Sequence, residues 1–211
     1  MVQLFSGVTS LLTAVFPMSS ESQMPGTFED FIRKYGAPTA LFSDSEKVQI
    51  GNAVRNILRL YSIADFQCEP HYQHQNPAER RIQDVKKLCN QLMDRTGTPS
   101  KYWLLCLEFV TYLINRLATE KLGWKTPLEQ ATGQVPDISA LLAFRWWEPV
   151  YYSTNNGFPS TSPEKTGRWV GVADHQGDAL TYLILTDDTN QVLARSSVRS
   201  ALHPTNPNLR A

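Results

Sequence analysis

Between Asn76 and Leu88 the chain reads Asn-Pro-Ala-Glu-Arg-Arg-Ile-Gln-Asp-Val-Lys-Lys-Leu, the opening of a helix with a carboxylate in its first turn. Asn76 suits an N-cap, and Pro77 suits the first helical position, where its missing N–H costs nothing. Apolar residues then recur at helical spacing at Ile82, Val85, Leu88, Cys89, Leu92 and Met93. This spacing places Glu79 on or near the buried face, where a carboxylate must be paired, capped or metal-bound. In its plainest role Glu79 closes a capping box back onto Asn76.

A second carboxylate changes the weighting. In Leu41-Phe42-Ser43-Asp44-Ser45 a short apolar strand ends in an acid. An acid at a strand end, followed by a helix and then a glutamate opening another helix, is one way to bring two carboxylates to a divalent metal. Ser43-Asp44 followed by His74-Gln75-Asn76-Pro77-Ala78-Glu79-Arg80 resembles the second aspartate and the glutamate of a retroviral-type integrase core. The nearest resemblance is to the copia-type retrotransposon branch, where an Ala-Glu-Arg run carries the glutamate. It implies a ribonuclease-H-like α/β fold and catalytic, metal-binding roles for Asp44 and Glu79.

The elements read in chain order fit that expectation. Residues 2–9 and 11–17 predict an antiparallel hairpin, with a Ser-Gly break at 6–7. Phe28, Phe31 and Ile32 predict a helix over 27–35, stopped by Gly36 and Pro38. A strand over 40–43, a helix over about 45–60 and a short strand over 64–68 follow, then an aperiodic loop, 69–75, leading to the Glu79 helix. Ser100 is placed to cap a further helix reaching about Glu120, with Trp103, Leu104, Leu107, Val110, Leu113 and Leu117 facing inward. This order predicts a mixed sheet covered by helices, a partial catalytic core over 1–121. Residues 122–145 read as a helical connector. Strands over 147–152, 168–173, 179–185 and 191–197 read as a small β module, 146–205, with a tail at 206–211. Phe158-Pro159-Ser160 with Gly167-Arg168-Trp169-Val170-Gly171 resembles the SH3-like module that follows the copia-type core.

The resemblance implies Mg²⁺, or Mn²⁺, held by carboxylates for in-line phosphoryl displacement on DNA. The family's third carboxylate sits on a first strand ahead of the hairpin, and no Asp or Glu precedes Glu21 here. The chain is therefore expected to be N-terminally truncated, its sheet to lack the central first strand, and strand transfer by this polypeptide alone to fail. The loop after Asp44 also departs from the family, with Ser45-Glu46 in place of Asn-Gly. A non-catalytic nucleic-acid-binding or assembly remnant is the alternative.

Other signals carry less. With 20 Lys+Arg against 20 Asp+Glu there is no overall basic character, so DNA contact must be local. His74, Gln75 and Asn76 beside the site, and Arg80, Arg81, Lys86 and Lys87 on the helix, are the candidate DNA contacts; a solvated helix face is the competing role for the cations. Cys68, His71 and His74 have metal-ligand spacing without an evident fourth ligand, and the cysteines read more simply as buried thiols in a reducing compartment. Phe144, Trp146, Trp147, Tyr151, Tyr152 and Trp169 suit barrel packing better than base stacking. Leu4 to Phe16 is too short and too interrupted to span a bilayer, so no membrane association is expected. The family resemblance implies self-association and a nuclear location in a eukaryotic host.

Overall fold

The hairpin that opens the chain is built from β1 (Val2–Ser6) and β2 (Thr13–Pro17), antiparallel with Val2 opposite Pro17 and Ser6 opposite Thr13. This computed structural model describes residues 1–43, 51–67, 77–154, 159–174 and 176–210. They form two compact units, Met1–Cys89 with Val110–Pro136 and Asn90–Phe109 with Asp137–Ala211.

In the first unit, α1 (Met24–Tyr35) turns Met24, Phe28 and Ile32, spaced i, i+4, i+8, onto one buried face. Phe5 of the hairpin packs there, its ring 5.7 Å from Phe28 and 5.0 Å from Phe31. β3 (Ala40–Ser43) runs parallel to β4 (Ala64–Gln67), and α2 (Asn52–Leu60) lies on the crossover between them, as a parallel pair requires. Val54, Ile57 and Leu58 of α2 and Ile63 complete the core that holds Phe5, with Leu41 of β3 packed against it.

Both strand pairs thus share one core, yet they do not join: β1–β2 and β3–β4 are separate two-stranded sheets. The hydrogen bonds from Met18 N–H to Met1 O and from Gly7 N–H to Leu12 O set the phase of the hairpin ladder. Gln3 and Phe5 face β2 with their backbone polar groups, so those of Val2, Leu4 and Ser6 face the open edge. On β3 the bond from Ala64 N–H to Thr39 O puts Leu41 and Ser43 on the ladder and turns Ala40 and Phe42 outward. The far edge of the hairpin is closed differently. Thr13 N–H donates to Asn115 Oδ1 at 2.9 Å, and Asn115 Nδ2 donates to Thr13 O at 2.6 Å, so one buried side-chain amide stands in for a neighbouring strand.

Two helices contribute to both units. α3 (Pro77–Thr96) stops where Gly97 takes φ +67°, a conformation open to glycine at little cost. α4 (Trp103–Ile114) ends short of the expected Glu120, and the carbonyl of Asn115 accepts from Leu128 N–H instead of continuing the helix. Trp103 and Leu117 are not inward: they are 45% and 50% exposed, Leu117 because it lies beyond the helix end. α5 (Pro127–Thr132) starts on a full capping box between Thr126 and Glu129.

The second unit holds β5 (Pro149–Ser153), β6 (Glu164–Val172), β7 (Tyr182–Thr186), β8 (Val192–Arg195) and β9 (Val198–Ser200), antiparallel in the order β8-β7-β6-β5-β9. β8 and β9 sit at opposite edges, yet only Ser196 and Ser197 separate them. Five flat strands would put those edges ~19 Å apart, whereas the link reaches at most ~11 Å, so the sheet is rolled. A register shift between Trp169 and Gly171 bends β6. Gly167 lets β6 close on β7, since a Cβ there would meet Ile184 Cγ2 at 2.6 Å and Leu185 O at 2.7 Å. Inside, Trp169, Val150, Tyr152 and Ile184 are buried, with Phe109 and Phe144 packed on them. The aromatic residues therefore serve packing first. Trp146 is anchored by its Nε1–H to Thr98 Oγ1 at 3.0 Å.

Candidate functional site

α3 presents Glu79 in its first turn, and there the carboxylate is exposed rather than on the buried face that the spacing to Ile82 predicts. The reason is angular. The seam of α3 is Val85 and Cys89, both buried, and at ~100° per residue Glu79 lies about 80° to 120° around the helix from them. Ile82 is only half-buried and Leu88 is 42% exposed, so the apolar stripe is narrower than the residue types imply.

Arg81 lies closer to the seam. Its Nε–H donates to Thr13 Oγ1 at 2.7 Å and its Nη2–H to Leu11 O at 3.3 Å, which ties the first turn of α3 to the hairpin. Burial pushes the guanidinium pKa down from its ordinary value, and the nearby Asp84 carboxylate opposes that shift. Arg80, Lys86 and Lys87 are exposed. Asp44, His74, Gln75 and Asn76 lie outside the described residues, as do Cys68 and His71. Cys89 and Cys106 are buried thiols.

Of the two predicted metal ligands the structure thus places Glu79 alone, with its carboxylate accessible to a cation. Among the described residues no group of three or more His, Cys, Asp or Glu side chains is arranged to hold a metal. Also among them, no helix is long and apolar enough to cross a membrane. Asn115, which closes the hairpin edge, escaped the sequence reading. The available signal was an amide interrupting the apolar run Tyr112-Leu113-Ile114, where burial demands partners.

The class follows from the fold. At a TM-score of 0.50 and 16% identity, 96% of this chain superposes on 75% of a chain of the simian T-cell lymphotropic virus intasome solved with PP2A regulatory subunit B56 gamma. At the same score and 14% identity, 62% of it superposes on 92% of the HTLV-2 integrase catalytic core domain solved with magnesium in a trimeric form. The chain has a mixed α/β fold similar to retroviral integrase cores, with an added five-stranded antiparallel sheet. Sequence then narrows the class. The chain is 27% identical over 141 residues to the retrovirus-related Pol polyprotein from transposon RE2 of Arabidopsis thaliana, and 24% over 143 residues to that from transposon RE1. Its homologues are thus Pol polyproteins of copia-type transposons, and each match covers 63% of this chain but 9% of the polyprotein. No protein-family profile matches the chain.

Proposed function

We propose that the chain is an integrase-type fragment of a copia-type retrotransposon polyprotein that acts on DNA. Its first unit is read as a ribonuclease-H-like core and its rolled sheet as an SH3-like module. The observation that carries this reading is the exposed Glu79 carboxylate, held in the first turn of a helix whose start Arg81 anchors, in a fold similar to integrase cores.

Asp44 and Glu79 are the proposed ligands of Mg²⁺ or Mn²⁺, which when bound would activate the attacking oxygen and stabilise the leaving one in phosphoryl transfer. Arg80, Lys86 and Lys87, exposed along α3, are placed to take DNA phosphates, and Arg81 to keep the helix start in position. The integrase neighbours were solved in a trimeric form and in an intasome, which supports self-association here. Action on host DNA would require a nuclear location.

The same exposed cations support a second reading, a remnant that binds nucleic acid without metal chemistry. Mn²⁺ separates the two, because its paramagnetism broadens NMR signals near the ion. The first reading expects selective broadening of the Glu79–Arg81 amides, lost in Glu79→Gln together with any Mn²⁺-dependent nicking, while DNA affinity in EDTA stays unchanged. Broadening or nicking that survives the substitution removes Glu79 from the chemistry and leaves the second reading.

A further inference from the structure

A groove of about 450 Å³ lies within the first unit, bounded by the hairpin turn, the first turns of α3 and the segment that follows α4. Its volume falls in the ~300–1,000 Å³ range of small-molecule sites. Glu79 is not part of its wall. The apolar lining comes from Val8, Leu11, Ile114 and Leu117; Val8 and Leu117 are 57% and 50% exposed, large side chains left uncovered at its surface. The charged lining is Arg80, Arg81 and Lys121 against the single carboxylate of Asp84.

Arg81 is the built part of this wall. Its Nε and Nη2 are spent on Thr13 Oγ1 and Leu11 O, which fixes the guanidinium plane, and Nη1 has no hydrogen-bond partner among the described residues. A pre-oriented guanidinium with a spare donor, flanked by two exposed cations, suits an anion of more than one negative charge. A carboxylate would leave much of that charge unmatched; a phosphate would not. The apolar side of the groove asks in turn for a flat, weakly polar body attached to the anion.

We propose that this groove binds a phosphorylated nucleotide, its phosphate on Arg81, Arg80 and Lys121 and its base against Val8 and Leu117. The nucleotide is either free or the phosphorylated end of a single strand. The site is independent of metal and of Glu79, so it stands or falls separately from the integrase reading.

The test is calorimetric titration of the full chain in EDTA with deoxyadenosine monophosphate and with a 5′-phosphorylated trinucleotide. At least one should bind saturably at one site, with deoxyadenosine and inorganic phosphate each binding at least ~10-fold more weakly because each keeps half of the contacts. Tighter binding of the trinucleotide would identify a strand end, and tighter binding of the monophosphate a free nucleotide. The exposed pair Arg80→Ala/Lys121→Ala should weaken binding ~10-fold or more. Ala118→Trp, which fills the groove and keeps every charge, should abolish it. Arg33→Ala/Lys34→Ala, exposed on α1 and outside the groove, should leave it unchanged. No saturable binding of either ligand overturns the proposal. So does retention in the Ala118→Trp chain, or an equal loss in the Arg33/Lys34 variant, which would reduce the effect to diffuse charge.

Discussion

Asn115 shows how much one side chain can decide. It is 4% exposed, and it both donates to and accepts from the backbone of Thr13, itself fully buried. Asn115→Ala would leave a buried N–H and a buried C=O without partners, so we expect a loss of about 2–4 kcal/mol, read as a lower urea midpoint at an unchanged slope. A cost below about 0.5 kcal/mol would mean that the hairpin edge is solvated instead. Glu164 makes the electrostatic case in the rolled sheet. Arg199 donates to it twice at 2.7 Å, and those bonds, with Asn208 Nδ2 at 2.8 Å, hold its carboxyl below its ordinary value against partial burial. A depressed folded pKa contributes stability that is present above the unfolded value and lost as pH falls through the folded one. Denaturant stability should therefore decline as pH drops below about 4.5, and Glu164→Gln should decline less steeply over that window.

At the scale of elements, the two strand pairs matter most. Each brings a ladder of its own and an edge that no other described strand covers, although Phe5 and Leu41 share one core. Hydrogen exchange should resolve this edge residue by residue: the amides of Gln3 and Phe5, bonded to β2, should be protected, and those of Val2, Leu4 and Ser6 should exchange much faster. Uniform protection along β1 would show a further strand paired there. The exposed Phe42 and Phe66, stacked at 5.0 Å across β3 and β4, are the apolar surface that an uncovered sheet face leaves behind. In α3 a similar lesson is angular. Residue types mark a wide apolar stripe, but only Val85 and Cys89 are fully enclosed, and Glu79 is outside the seam.

For the molecule as a whole, equal numbers of cations and anions mean that any hold on DNA comes from a few placed charges. If Arg80, Lys86 and Lys87 each neutralise a phosphate, log K should fall with log salt at a slope of about −3 on duplex DNA, and the triple alanine variant should be nearly flat. An unchanged slope would place the contacts elsewhere. The hairpin, the β3–α2–β4 crossover, the Glu79 helix and four of the five late strands, all but β9, were legible from the sequence, because alternation and helical spacing are local properties of the chain. So was the resemblance to copia-type integrases, which homology to transposon polyproteins and the integrase-like fold uphold. Tertiary structure alone decided the rest. That Glu79 is exposed, that Arg81 turns to Thr13, that Asn115 seals an edge, and that β8 and β9 end on opposite sides of a rolled sheet all depend on groups far apart in sequence. Periodicity says which side of an element is apolar, but not which neighbour arrives to cover it.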